Sequence, residues 1–160
     1  ENANFEGVLK QLRSHFGVKV FPLQYPIGKE DSFKGVVDLV KMKARLYEDE
    51  SGLKVHEEEI PAELREKAAE LREKVVEAAA EADDNLMEKY LEEETLEEEE
   101  IRKALRIGTL EGKIIPVLCG SATKNLGMQP LLDLIAGALP SPADRPGSTG
   151  KVPGKDPQRP

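Results

Sequence analysis

Residues 113–125 read KIIPVLCGSATKN, and the reading of this stretch decides the fold. Ile114, Ile115, Val117 and Leu118 are β-branched or large aliphatic, as expected of a strand buried on both faces. The run stops at Gly120-Ser121-Ala122. From Gly127 a helical spacing begins, with Met128, Leu131, Leu132, Ile135 and Leu139 on one side. Strand, small-residue loop and helix make the α/β unit that places ligands at the carboxyl end of the strand. Small residues there let backbone N–H groups come close to a planar or anionic group.

Upstream, Phe5, Val8, Leu9, Leu12 and Phe16 recur at helical spacing, and Gly17 stands at the C-cap position. This predicts an amphipathic helix over 4–16. Residues 18–27 read as a strand interrupted by Pro22 and Pro26. A polar turn over 28–33 follows, then a second extended run over 36–47 with one buried and one wet face. After a turn at 49–52, a third strand is predicted over 53–60. Consecutive strands joined by turns pair antiparallel.

Three helices come next. The first, over 62–82, carries a narrow apolar stripe of Leu64, Ala68, Leu71, Val75 and Ala78 on a Glu/Lys/Arg cylinder. It is too short for a coiled-coil dimer and reads as a surface helix packed on the sheet. Asp83 or Asp84 caps the second, which bears Leu86, Met87, Tyr90 and Leu91. Thr95 with Glu98 forms a capping box for the third, which holds Ile101, Ala104 and Leu105. Beyond Pro140 the chain is Pro-, Gly-, Ser- and Lys-rich and reads as a linker.

The 160 residues suffice for one domain, or one domain with a subdomain, and the formal net charge is −8. That balance argues against a nucleic-acid surface, which needs clustered Lys and Arg, and favours a basic protein partner or plain solubility. A single cysteine, Cys119, excludes an internal disulfide and fits a reducing cytosol. No apolar run approaches membrane-spanning length. The chain opens ENANF, without Met or a signal peptide, so the expectation is an excised segment.

Several longer stretches carry a resemblance. GSATKN is similar to the fifth guanine-nucleotide motif of translational GTPases. PLQYPIGKEDSFKGVVDLVKMKA (22–44), LMEKYLEEE (86–94), ALRIGTL (104–110) and PLLDLIAGALPSP (130–142) resemble bacterial elongation factor G. The resemblance implies an α/β chain, α+β overall. Residues 1–17 and 113–140 would be the end of a P-loop GTPase-type domain. Residues 18–112 would be its inserted α+β subdomain, and 141–160 a linker. It also implies a parent that binds GTP or GDP with Mg²⁺, acts in ribosomal translocation, and works in the cytoplasm.

In that frame Ser121 and Ala122 face the guanine base, with Thr123 adjoining. Thr123 departs from the bulky apolar residue common there, which bears on packing behind the base and not on the Ser-Ala contact. Partners implied are the ribosome and its stalk protein. Glu66, Glu70, Glu73 and Glu77, spaced along one helix face, suit steering of a basic partner. The bland alternative is that they pair along the surface with Lys67, Arg72 and Lys74.

Catalytic chemistry is not expected of this piece. A P-loop requires G-x-x-x-x-G-K-[ST], and the sequence has none, so no bound nucleotide or metal is expected for the chain alone. Ser121 lacks the G-x-S-x-G elbow of a hydrolase nucleophile. His15, His56 and Cys119 show no metal-ligand spacing, and surface or packing roles account for them. The rival reading is a stand-alone acidic adaptor that binds a basic protein and no nucleotide. If the chain is a fragment, the apolar faces of its first helix and of 113–139 should lie bare or be covered improperly by each other.

Overall fold

The apolar stretch after the first helix serves two sheets, and the change of sheet falls at Leu23. In the computed structural model, which describes residues 3–16, 19–49 and 51–144, β1 (Lys19–Pro22) pairs in parallel with β6 (Ile114–Val117). The next residues, β2 (Gln24–Ile27), pair antiparallel with β3 (Gly35–Asp38). Leu23 bonds to both neighbourhoods. Its N–H donates to the Val117 carbonyl at 2.8 Å, and its carbonyl accepts from the Leu39 N–H at 3.0 Å. The single strand expected over 18–27 is therefore two strands. The expected Gly17 cap, the start of the strand at Val18, and residues 145–160 of the linker lie outside the described residues.

The extended run expected over 36–47 is also corrected. It is a hairpin of β3 and β4 (Lys43–Tyr47), registered Val37 to Ala44 and Asp38 to Lys43. The turn is made by Asp38, whose Oδ1 accepts from the N–H groups of Val40 (2.9 Å) and Lys41 (3.0 Å). Met42 completes it at φ 56° and donates its N–H to the Asp38 carbonyl. An aspartate side chain that bonds the backbone two and three residues on builds a turn without glycine. β5 (Val55–Glu58) adds the last strand, giving the order β2-β3-β4-β5.

Five helices complete the described residues: α1 (Phe5–Phe16), α2 (Ala62–Ala80), α3 (Asp84–Glu93), α4 (Glu98–Leu110) and α5 (Met128–Ala138). With one parallel and one antiparallel sheet, the architecture is mixed α/β, α+β overall, as expected. α2 lays Ala68 and Leu71 on the antiparallel sheet against Ile27, Val37, Leu39 and Ala44. Its second half buries Val75, Val76, Ala78, Ala79 and Ala80, a broader face than the narrow stripe expected. The cause is tertiary: α3 and α4 cover it from the other side, with Ile101, Ala104 and Leu105 in the same cluster. Asp83 caps α3 as expected, accepting from the Asn85 and Leu86 N–H groups. The box at the head of α4 is not Thr95 with Glu98. It is Glu97 with Glu100, whose carboxylate accepts the Glu97 N–H at 2.8 Å and also binds Lys89 of α3 at 2.8 Å.

Ile114 of β6 sits in the cluster of α2 and α4, so β6 is continuous with the helical core. The strand is not buried on both faces: Ile114 is buried, while Ile115, Pro116 and Val117 are half-exposed. Nor is the helix stripe at 128–139 covered, since Leu132 is 58 % exposed and Leu131, Ile135 and Leu139 are exposed. Val8 and Phe16 of α1 are likewise exposed. These surfaces meet in an open apolar trough of about 820 Å³, floored by β6 and walled by Leu12, Phe16, Met128 and Leu131.

Arg72 does not belong to the surface charge ladder assumed for it. Its Nη1 donates to the Leu39 carbonyl at 2.9 Å and also to the Val40 carbonyl. Both acceptors belong to buried residues at the tip of the β3–β4 hairpin. Arg72→Met keeps the aliphatic stem and removes the donors. It is expected to cost about 1–3 kcal/mol, read as a lower urea midpoint at unchanged slope.

Candidate functional site

The loop after β6 closes on itself. Ser121 and Leu126 exchange both backbone hydrogen bonds, at 2.8 and 3.0 Å, and Asn125 donates its N–H to the Ala122 carbonyl. Asn125 holds φ 54°, a conformation its short polar side chain tolerates. Glycine is needed on both sides of the closure. A Cβ at Gly120 would lie 2.6 Å from the Leu126 oxygen, and one at Gly127 would lie 2.7 Å from the Cys119 oxygen. The segment GSATKN is therefore a miniature hairpin set at the carboxyl end of β6.

That hairpin borders a cavity of about 560 Å³. Its walls come from Leu118 to Ser121 with Thr123 and Lys124, from the start of α1 at Asn4 and Phe5, and from the β2–β3 turn. The α1 wall is fixed in two ways. Asn4 Oδ1 accepts the Gly7 N–H at 2.9 Å, and the Phe5 ring meets Tyr25 of β2 edge-on at 5.5 Å. Of the three residues expected to face a base, Ser121 and Thr123 line the cavity, their hydroxyls 3.3 Å apart. Ala122 is exposed at the tip of the loop and is not among the lining residues. Lys29, Asp31 and Phe33 also line it. By sequence 28–33 reads only as a polar turn, because nothing in it signals that the β2–β3 turn reaches the β6 loop.

Chemically the cavity offers backbone groups, two hydroxyls, aromatic rings, the Lys29 and Lys124 ammonium groups and the Glu30 and Asp31 carboxylates. It holds no P-loop backbone. Among the described residues no group of three or more His, Cys, Asp or Glu side chains converges on a metal position. Cys119 borders the cavity, but burial pushes its thiol up to about 12. His15 bonds the Gln11 carbonyl at the end of α1, and His56 lies between Glu48 and Glu58 on the surface.

Glu66, Glu70, Glu73 and Glu77 of α2 share one exposed face. Glu70 binds Lys67 at 3.1 Å and also Lys74, and these ammonium groups, Lys74 foremost, hold its carboxyl below the usual range. Glu66, Glu73 and Glu77 form no ion pair among the described residues. Glu77 and Glu73 stand close enough to Tyr90 of α3 to add to the rise that burial gives its phenol. Among the described residues no helix is long and apolar enough to cross a membrane.

Fold and cavity thus define a mixed α/β chain with a ligand-sized cleft at the carboxyl end of a parallel strand. No protein-family model matches the chain. Among solved structures it is similar to the crystal structure of ttk003000868 from Thermus thermophilus, at 35% identity and a TM-score of 0.77. The match covers 89% of this chain and 21% of that one, so the chain spans about a fifth of its relative's length.

Cys119 is expected to resist alkylation in the folded chain. At pH 8, iodoacetamide labelling should run slower than in urea by at least about 100-fold, because almost no thiolate is present.

Proposed function

We propose that this chain is an internal segment of a translational GTPase of the elongation factor G type, and that the 560 Å³ cleft is the base-recognition half of its guanine-nucleotide site. The observation that carries the reading is the cleft's position. It opens at the carboxyl end of parallel strand β6, where open α/β sheets hold ligands, and Ser121 and Thr123 stand on its wall. The stretches that resemble elongation factor G support it from outside the cleft. The parent would bind GTP or GDP with Mg²⁺, hydrolyse GTP, and drive translocation on the ribosome in the cytoplasm. This segment supplies no phosphate loop and is inactive by itself. The glutamate face of α2 would be its contact with a basic ribosomal partner, the stalk protein.

Two experiments address the reading. In an NMR titration, GDP should move the amide signals of Ser121, Ala122 and Thr123 while ADP leaves them in place. The dissociation constant should be weaker than about 1 mM, because the phosphates find no cradle. Equal responses to both nucleotides, or micromolar affinity, would refute it. For the partner, reversing Glu66, Glu70, Glu73 and Glu77 to Lys should slow association with the stalk protein at least tenfold at low salt. An unchanged on-rate removes α2 from the interface.

A further inference from the structure

The Ser121 hairpin is also held by the far end of the antiparallel sheet, at the β4–β5 turn. The β4–β5 turn is stiffened by Asp49, whose Oδ1 accepts from the Ser51 N–H (3.0 Å) and the Ser51 hydroxyl (2.5 Å). Ser51 Oγ in turn accepts the Leu53 N–H, and Gly52 donates its own N–H to the Asp49 carbonyl. The stiffened turn then meets the loop. Asn125 Nδ2 donates to the Ser51 carbonyl at 2.6 Å across 74 residues of sequence. Gly52 is buried at φ +66°, and a Cβ there would lie 2.0 Å from the Asn125 oxygen and 2.7 Å from its carbonyl carbon. Backbone meets backbone with no room for a side chain. Tyr47, at the end of β4, adds a third approach, its buried hydroxyl lying beside the Gly127 amide and Cys119.

We infer that Gly52 and Asn125 are positioning residues. Through them the β4–β5 turn sets the conformation of the 121–126 hairpin, and so the placement of Ser121 and Thr123 on the cleft wall. The use of that placement for guanine rests on the reading above; the positioning itself does not. The hairpin's own backbone hydrogen bonds, two between Ser121 and Leu126 and one from Asn125 to Ala122, lie within the loop and leave its tilt free to hinge at Gly120 and Gly127. The contacts at Asn125 remove that freedom from outside the cleft lining. Coupling is reciprocal, so whatever holds the loop from the cleft side also steadies the β4–β5 turn.

The test uses the whole chain and two substitutions. Asn125→Gly keeps the positive φ and deletes the amide donor. Gly52→Ala keeps Asn125 and forces the two backbones apart. In both, hydrogen exchange at Ser121 and Leu126 should rise at least tenfold, while amides at Leu71 and Ile101 in the core change less than twofold. In Asn125→Gly the Gly52 and Leu53 amides should also loosen, and the GDP-induced shift at Ser121 should shrink. Should the unsubstituted chain show no response to GDP while exchange still rises in the variants, the positioning stands and the guanine reading falls. Unchanged exchange at Ser121 and Leu126 in Asn125→Gly overturns the inference, even where Gly52→Ala proves too unstable to read.

Discussion

The two sheets of this chain are tied together through the backbone of Leu23. Parallel and antiparallel sheets demand different hydrogen-bond directions, and one strand cannot serve both along the same length. The chain resolves this in a single residue, bonding the parallel side with its N–H and the antiparallel side with its carbonyl. Leu23 is buried in the cluster that holds Val75, Ile101 and Ile114. The switch is thereby anchored by packing as well as by hydrogen bonds. The β6 loop and the β2–β3 turn lie on the same cleft because the two sheets are fused at this point.

Helices were legible in the sequence because their apolar residues repeat at a spacing that no other element shares. α1, α2 and α5 fall within two residues of expectation, and Asp83 caps α3 where an acidic residue before an apolar run should. The strands were harder, for a physical reason. Short apolar runs look alike whether they continue or turn, and the β3–β4 turn uses Asp38 and Met42 in place of the usual Gly or Asn. At Leu23 nothing local distinguishes a continuing strand from a change of sheet; only the distant partners at Val117 and Leu39 do. Thr95 and Glu97 compete for one cap, and Lys89 on the neighbouring helix favours the arrangement in which Glu100 reaches back.

The cleft was half legible. Gly120 to Asn125 announced a small-residue loop after a strand, and the loop is there, with Ser121 and Thr123 on the wall. Ala122 and the wall contributed by Lys29, Asp31 and Phe33 depend on how two segments far apart in the chain meet, which periodicity does not encode. The same holds for Arg72. Its place among alternating Glu and Lys suggests a surface ion pair, yet its guanidinium is spent on two hairpin carbonyls.

The bare apolar floor beneath α5 gives the chain a thermal character. Ile115, Val117, Leu131 and Ile135 present apolar surface to water, and an oily surface laid over them would remove that area from water. Such a union is driven by entropy near room temperature and carries a negative heat-capacity change. Chilling therefore loosens whatever sits on that floor, and warming from the cold tightens it.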